Sequence, residues 1–259
     1  MRMGRGALAL LLAGAAAAAP NPFPAAGAAY VVERDGKLLW AGGADKRLPP
    51  ASLAKMMTAL LVIEDGGLAE TVTVSRAAAR ETGTRLGLKE GERFKRGALL
   101  TATIVRSAND ACRALAGNDE RVFARRMNER AKGLGMADSF FSNPCGHDAP
   151  GQYTTASDLA RLANAVAARP EYMAAARLER ATIVSDGGRK LSFDNTNALI
   201  GRYEGAIGLK TGTTPGAGTC LAALAERGGT RVLLIVLRAK DRWWGGDALL
   251  DRAFAADAP

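Results

Sequence analysis

Histidine occurs once and cysteine three times in a chain of 259 residues. His147, Cys112, Cys145 and Cys220 contain no C-x-x-C pair, so a zinc site finds too few well-spaced donors. A Ser-His-Asp triad would depend entirely on His147, which stands beside Asp148 in a loop of Pro and Gly and reads as a structural or rim residue. Three cysteines allow at most one internal disulfide, in any of three pairings. Taken singly each reads as a buried structural residue, Cys112 as helix packing. Aromatics make up 5% of the chain, and no basic patch is interleaved with them in the manner of a nucleic-acid surface. Beyond residue 30 no apolar run reaches the 18 residues a membrane span needs.

What is present is an ordinary globular composition, 48% apolar and 24% charged, long enough for a sizeable core. The formal charge of +9 is scattered and suits an anionic surface or acidic polymer without deciding between them. At the N-terminus, Arg2 and Arg5 precede an apolar stretch at 7–19, and small residues at 25–29 offer cleavage after Ala26 or Ala28. That order is the pattern of a secretory signal peptide, expected over residues 1–28, with one domain at 29–259. Export to the periplasm places the cysteines in an oxidising compartment and removes cytosolic nucleic acid as a partner.

Periodicity predicts strands at 29–34 and 37–41 joined by Asp35-Gly36, then a helix from Ser52 that Gly66-Gly67 ends. A strand is expected at 72–75 and a Gly-rich hairpin at 86–94. Helices are expected at 97–106, 109–116, 119–132 and 155–168, the last stopping before Pro170. Further strands are predicted at 181–184, 206–211, 219–225 and 231–237, with a closing helix at 243–255 on which Trp243-Trp244 anchors to the sheet. Strands at both ends and helices between them imply an α+β fold. Its antiparallel sheet would unite the N- and C-terminal strands, flanked by helices and a helical subdomain.

Three short motifs carry chemistry. Ser52 and Lys55 are three residues apart, on one helical face, near enough for the amine to take the hydroxyl proton. Eight serines and nine lysines give about 0.3 such pairs by chance. Ser107-Ala108-Asn109 lies between two predicted helices, where the hydroxyl either faces a cleft or caps the following helix. Lys210-Thr211-Gly212-Thr213 ends a predicted strand, where a cation and a hydroxyl can hold a carboxylate. All three motifs together, in this order, are expected by chance in roughly one chain in a thousand.

The ordered set S-x-x-K, S-x-N, K-T-G resembles that of the penicilloyl serine transferases. More narrowly, the chain resembles the low-molecular-mass penicillin-binding proteins, the D-alanyl-D-alanine carboxypeptidase and endopeptidase family. Supporting stretches lie at 45–51, 106–111, 127–128, 134–136, 143–146, 195–197 and 208–212, so the likeness spans nearly all of 29–254. The resemblance implies that Ser52 is the nucleophile, Lys55 the general base and Ser107 a proton relay to the leaving amine. It implies further that Asn109 binds the substrate backbone and that Lys210 and Thr211 engage a terminal carboxylate or the proton network. Gly212 and Thr213 belong to the same strand edge, and the backbone N–H groups of Ser52 and Thr213 form the oxyanion hole. The partners implied are peptidoglycan stem peptides and crosslinks, with β-lactams as covalent inhibitors of a monomeric enzyme that uses no metal and no cofactor. Burial and the Lys210 charge are both expected to lower Lys55 from the usual value near about 10.4.

Ala54 stands where relatives often have Thr. A serine β-lactamase of class A would show S-D-N and an E-x-x-x-N segment, and neither is found before Lys210. A non-catalytic wall-binding protein would not need all three motifs. Arg238 or Lys240 is a candidate for extra carboxylate binding, against a solvated position. The end of the chain soon after the last helix resembles the shorter endopeptidase group.

Overall fold

The fold is given by a computed structural model that describes Phe23 and residues 26–256. The expected leader run at 7–19 lies outside them. No helix among the described residues is long and apolar enough to cross a membrane.

Five antiparallel strands form the central sheet in the order β2-β1-β9-β8-β7: β1 (Ala29–Arg34), β2 (Lys37–Gly42), β7 (Ala206–Thr214), β8 (Gly218–Arg227) and β9 (Thr230–Ala239). The two ends of the chain meet where Val31 pairs with Ile235, as the α+β reading requires. These strands look continuously apolar because the sheet is covered on both faces. Cys220, Ala222, Leu224, Leu233, Ile235 and Leu237 point into the main core, while their neighbours Leu221, Ala223, Leu234 and Val236 point into a second one. The second core lies under α8 (Arg242–Ala255), where Trp243 packs as expected.

The main core is closed by helices. Ser52 lies in a 3-10 turn, Ala51–Ala54, and regular helix α1 (Lys55–Asp65) begins only after it. Lys55 through Val62 are all buried, so α1 runs through the middle of the domain. Around it stand α3 (Arg96–Val105), α4 (Asn109–Ala116), α5 (Glu120–Gly133) and α6 (Ala156–Ala167). Thr155 caps α6 by accepting from the Asp158 N–H at 3.0 Å.

Two expectations need correction, and two further elements, a helix at 170–176 and a strand at 190–194, are additions to them. Ser75 is not in a strand: β3 is Thr71–Thr73, and Ser75 caps α2 (Arg76–Ala79). Residues 86–94 form no hairpin. The Leu86, Gly87 and Leu88 N–H groups close instead on the Asp110 carboxylate at 3.0, 2.8 and 3.0 Å, and β4 (Arg93–Lys95) pairs with β3. Pro170 starts a helix, α7 (Pro170–Ala176), where a residue without an N–H fits the first turn. The strand at 181–184 is part of β5 (Arg180–Val184), which pairs with β6 (Lys190–Asp194) in a separate two-stranded sheet.

Candidate active site

Ser52, Lys55, Asn109 and the K-T-G strand converge where α1, α4 and β7 meet. Ala51 has a left-handed φ of +48°, which turns the chain sharply before the 3-10 turn. β7 lies directly against this turn. A Cβ on Gly212 would stand 2.9 Å from the Ala51 Cβ and 3.0 Å from the Ser52 backbone N, so only glycine lets the strand approach so closely. Lys210 shares that face of β7, two residues away.

The Lys55 ammonium is 1% exposed and donates to three oxygens: Ser52 Oγ at 2.9 Å, Asn109 Oδ1 at 2.8 Å and the Cys145 carbonyl at 2.5 Å. Burial lowers its pKa to about 7, opposed by the negative charge of Glu81. The expected lowering of Lys55 by Lys210 is not found; the repulsion between the two cations falls on Lys210 instead. Lys210, 1% exposed and donating to the Thr211 carbonyl at 2.9 Å, is held well below the usual lysine value by burial first, then by the charges of Lys55 and Arg242.

Each acceptor around Lys55 is fixed from behind. The amide of Asn109 donates to Thr82 O at 2.6 Å, and its backbone N–H donates to Thr84 O at 2.7 Å. Cys145 is bonded to Cys112 in a disulfide that ties its loop to α4, and Cys220 stays free and buried. The same loop is folded around Asn143, whose Oδ1 accepts from the Gly146 N–H at 2.8 Å, and Thr58 donates to Pro144 O at 2.6 Å. A Cβ on Gly146 would overlap the Ala51 carbonyl, so this loop too packs on the 3-10 turn that carries Ser52.

Ser107 is buried in the turn between α3 and α4 with φ at +61°, a left-handed conformation costing a non-glycine residue about 1 kcal/mol or more. It does not cap α4; Ala108 occupies the N-cap position without a side-chain bond. Among the described residues Ser107 is not hydrogen-bonded to Ser52 or Lys55, whereas Asn109 is joined to Lys55. His147 is at the rim, as expected, 2.9 Å from Glu81 Oε2. Asp148 beside it accepts from Thr214 Oγ1 at 2.6 Å and the Gly216 N–H at 2.8 Å.

Two positions at the site have no role assigned from the sequence: Arg242, and Thr196 within the 195–197 stretch. Arg242, not Arg238 or Lys240, reaches the K-T-G strand: its Nη1 donates to Gly212 O and Thr213 Oγ1, both at 2.8 Å. Arg238 instead donates to Gly216 O at 2.5 Å. Thr196 accepts from Thr211 Oγ1 at 2.8 Å and donates its N–H to Val105 O at 3.0 Å, bracing β7 against the end of α3. Asn195 and Asn197 hold that segment, through Leu178 O at 2.8 Å and Gly208 O at 3.0 Å. Five residues from Arg238 to Arg242 carry four charges, so composition gave no means of choosing among them.

Comparison with known proteins identifies the family. The family model of the D-alanyl-D-alanine carboxypeptidases, peptidase S11, matches residues 15–241. The chain is 34% identical over 239 residues to D-alanyl-D-alanine carboxypeptidase DacF of Bacillus subtilis, covering 88% of this chain and 61% of that one. It is 36% identical to DacC of Escherichia coli, covering 79% and 54%. It thus spans a little over half the length of these two relatives. A D-alanyl-D-alanine endopeptidase of Pseudomonas aeruginosa is 31% identical, with 90% and 80% covered. Among solved structures, the Streptomyces K15 DD-transpeptidase superimposes with a TM-score of 0.83 at 27% identity, covering 92% of this chain and 100% of that one. A D-alanyl-D-alanine carboxypeptidase of Mycobacterium tuberculosis gives 0.85 at 28%, with 96% and 97% covered. Sequence and fold together place the chain in the D-alanyl-D-alanine carboxypeptidase family.

Proposed function

We propose that the protein is a serine peptidase of peptidoglycan that cleaves after the penultimate D-alanine of stem peptides or crosslinks through an acyl-enzyme on Ser52. The observation that carries this reading is the buried Lys55 amine, lowered to about 7 and 2.9 Å from Ser52 Oγ. A neutral amine accepts the hydroxyl proton as Ser52 Oγ attacks the carbonyl carbon. The oxyanion is received by the backbone N–H groups of Ser52 and Thr213. Collapse breaks the C–N bond, and the proton passes by way of Lys55 and Ser107 to the leaving amine. Water then attacks the ester, its proton goes to Lys55, and Ser52 is regenerated.

Substrate placement follows from the strand edge. A peptide laid along β7 would put its terminal carboxylate at Thr211, Thr213 and Arg242, which is held on Gly212 O and Thr213 Oγ1. A carboxylate there would supply the counter-charge Lys210 lacks. Asn109 has one amide hydrogen left for the substrate backbone, since Lys55 and Thr82 engage the rest of the group. β-Lactams would acylate Ser52 by the same attack and remain bound. Export to the periplasm is part of this reading, supported by the signal-like order at 1–28 and by the Cys112–Cys145 disulfide.

Incubation of the purified protein with crosslinked muropeptides tests the reading. Conversion of dimers to monomers identifies an endopeptidase and release of terminal D-alanine alone a carboxypeptidase, both abolished in Ser52→Ala. Muropeptides left intact by the unmodified protein overturn the proposal.

A further inference from the structure

Beside Ser107 the surface opens into a groove of about 300 Å³ that the steps above do not use. One wall is the segment carrying Arg85 and Leu86, and the other is β6 with Ser192, Phe193 and Asp194; Arg106 closes the end next to Ser107. The Arg85 wall is built rather than loose, because the three N–H groups following it are closed on Asp110. Arginines near this end of the molecule mostly have carboxylate partners: Arg93 with Asp186, Arg189 with Glu92, and Arg180 with Asp194 at 2.6 Å. The two in the groove differ. Among the described residues Arg85 donates only to the Glu81 carbonyl, at 3.1 Å, and the exposed Arg106 side chain has no partner. Asp194, the one acid in the lining, is already taken by Arg180, so the groove presents net positive charge.

Its position relative to the strand edge says what it faces. Arg242 marks the Thr213 end of the cleft, where the substrate's C-terminus is placed. In the other direction the contacts run from Thr211 to Thr196, then to Val105 and the adjoining Arg106. A peptide anchored by its C-terminal carboxylate at Arg242 therefore sends its upstream residues toward the groove. Guanidinium groups there suit a carboxylate in one- or two-point contact.

We propose that this groove is an anion subsite for a carboxylate upstream of the scissile bond, such as the free α-carboxylate of a residue linked through its side chain. The proposal rests on the peptidase reading and names which stem peptides it favours. The test compares two probes, N-acetyl-γ-D-glutamyl-L-lysyl-D-alanyl-D-alanine and the same peptide with its α-carboxyl amidated. The expected preference in kcat/KM is about fivefold to tenfold for the free carboxylate, shrinking as salt rises. Arg85→Gln and Arg106→Gln, on separate elements, should each reduce it and together remove it. Acylation by benzylpenicillin, which has no upstream carboxylate, reports in every variant that the nucleophile is still assembled. Equal turnover of the two peptides by the unmodified protein, or a preference that survives the double substitution, overturns the subsite. Turnover of neither peptide overturns the peptidase reading itself, and the two failures are distinguishable.

Discussion

Lys55 donates to a hydroxyl, an amide oxygen and a backbone carbonyl, and among the described residues no carboxylate bonds to it. Acylation of Ser52 should therefore rise with pH through a midpoint near the lysine's value of about 7, because only the neutral amine accepts the proton. Glu81 stabilises the charged form, so Glu81→Gln should move this acid limb to lower pH; a limb that stays put or moves up would show that Glu81 does not act on Lys55. Lys210 carries a companion prediction. A carboxylate ligand would favour its protonated form, so binding of an anionic peptide to Ser52→Ala should be accompanied by proton uptake at pH values where Lys210 is neutral in the free protein. Calorimetry in buffers of different ionisation enthalpy reads that uptake, and Lys210→Ala should reduce it. At this scale the sequence was most informative, since three short motifs singled out Ser52, Lys55, Ser107, Asn109 and Lys210, of which Ser52, Lys55 and Asn109 meet in one hydrogen-bonded cluster. Arg242 stayed hidden and Thr196, though in a stretch that supported the resemblance, had no assigned place, because their contacts depend on where β9 ends and how the Asn195–Asn197 segment lies on α3.

Elements position these groups by close approach. β7 touches the 3-10 turn carrying Ser52 through Gly212, so Gly212→Ala should push the strand away and slow acylation, on the order of 100-fold for a displacement near 1 Å, with the circular dichroism spectrum retained. The loop that offers Cys145 O to Lys55 is secured by a disulfide spanning 33 residues. Replacing Cys112 and Cys145 together by serine should lower unfolding free energy by about 2–5 kcal/mol in denaturant titrations and slow acylation as the acceptor loosens. Unchanged acylation would confine the bridge to a stabilising role. Long periodic segments were legible in the sequence: the central strands, α3 and α5 lie within a few residues of expectation. The failures share a cause. In β6 only Leu191 and Phe193 turn inward, too short a pattern to read. Residues 86–88 are shaped by a carboxylate 22 to 24 positions away, which no local pattern announces.

Across the whole molecule, the sheet separates two apolar cores, and the site lies at its β7 edge, where the strand meets the helical layer. This explains why a lysine can be fully enclosed beside a half-buried serine: α1 passes through the main core, and its first residue is Lys55. The α+β architecture was legible because strands at both chain ends had to pair. The disulfide partners were not, since pairing depends on how close a loop lies to α4 in space rather than on sequence spacing. The central claim is that Ser52, activated by Lys55, becomes acylated. Mass spectrometry of the intact protein after exposure to benzylpenicillin, followed by peptide mapping, tests it most directly. The account predicts one long-lived penicilloyl adduct on the peptide containing Ser52, absent from Ser52→Ala; an adduct elsewhere, or none, would contradict it.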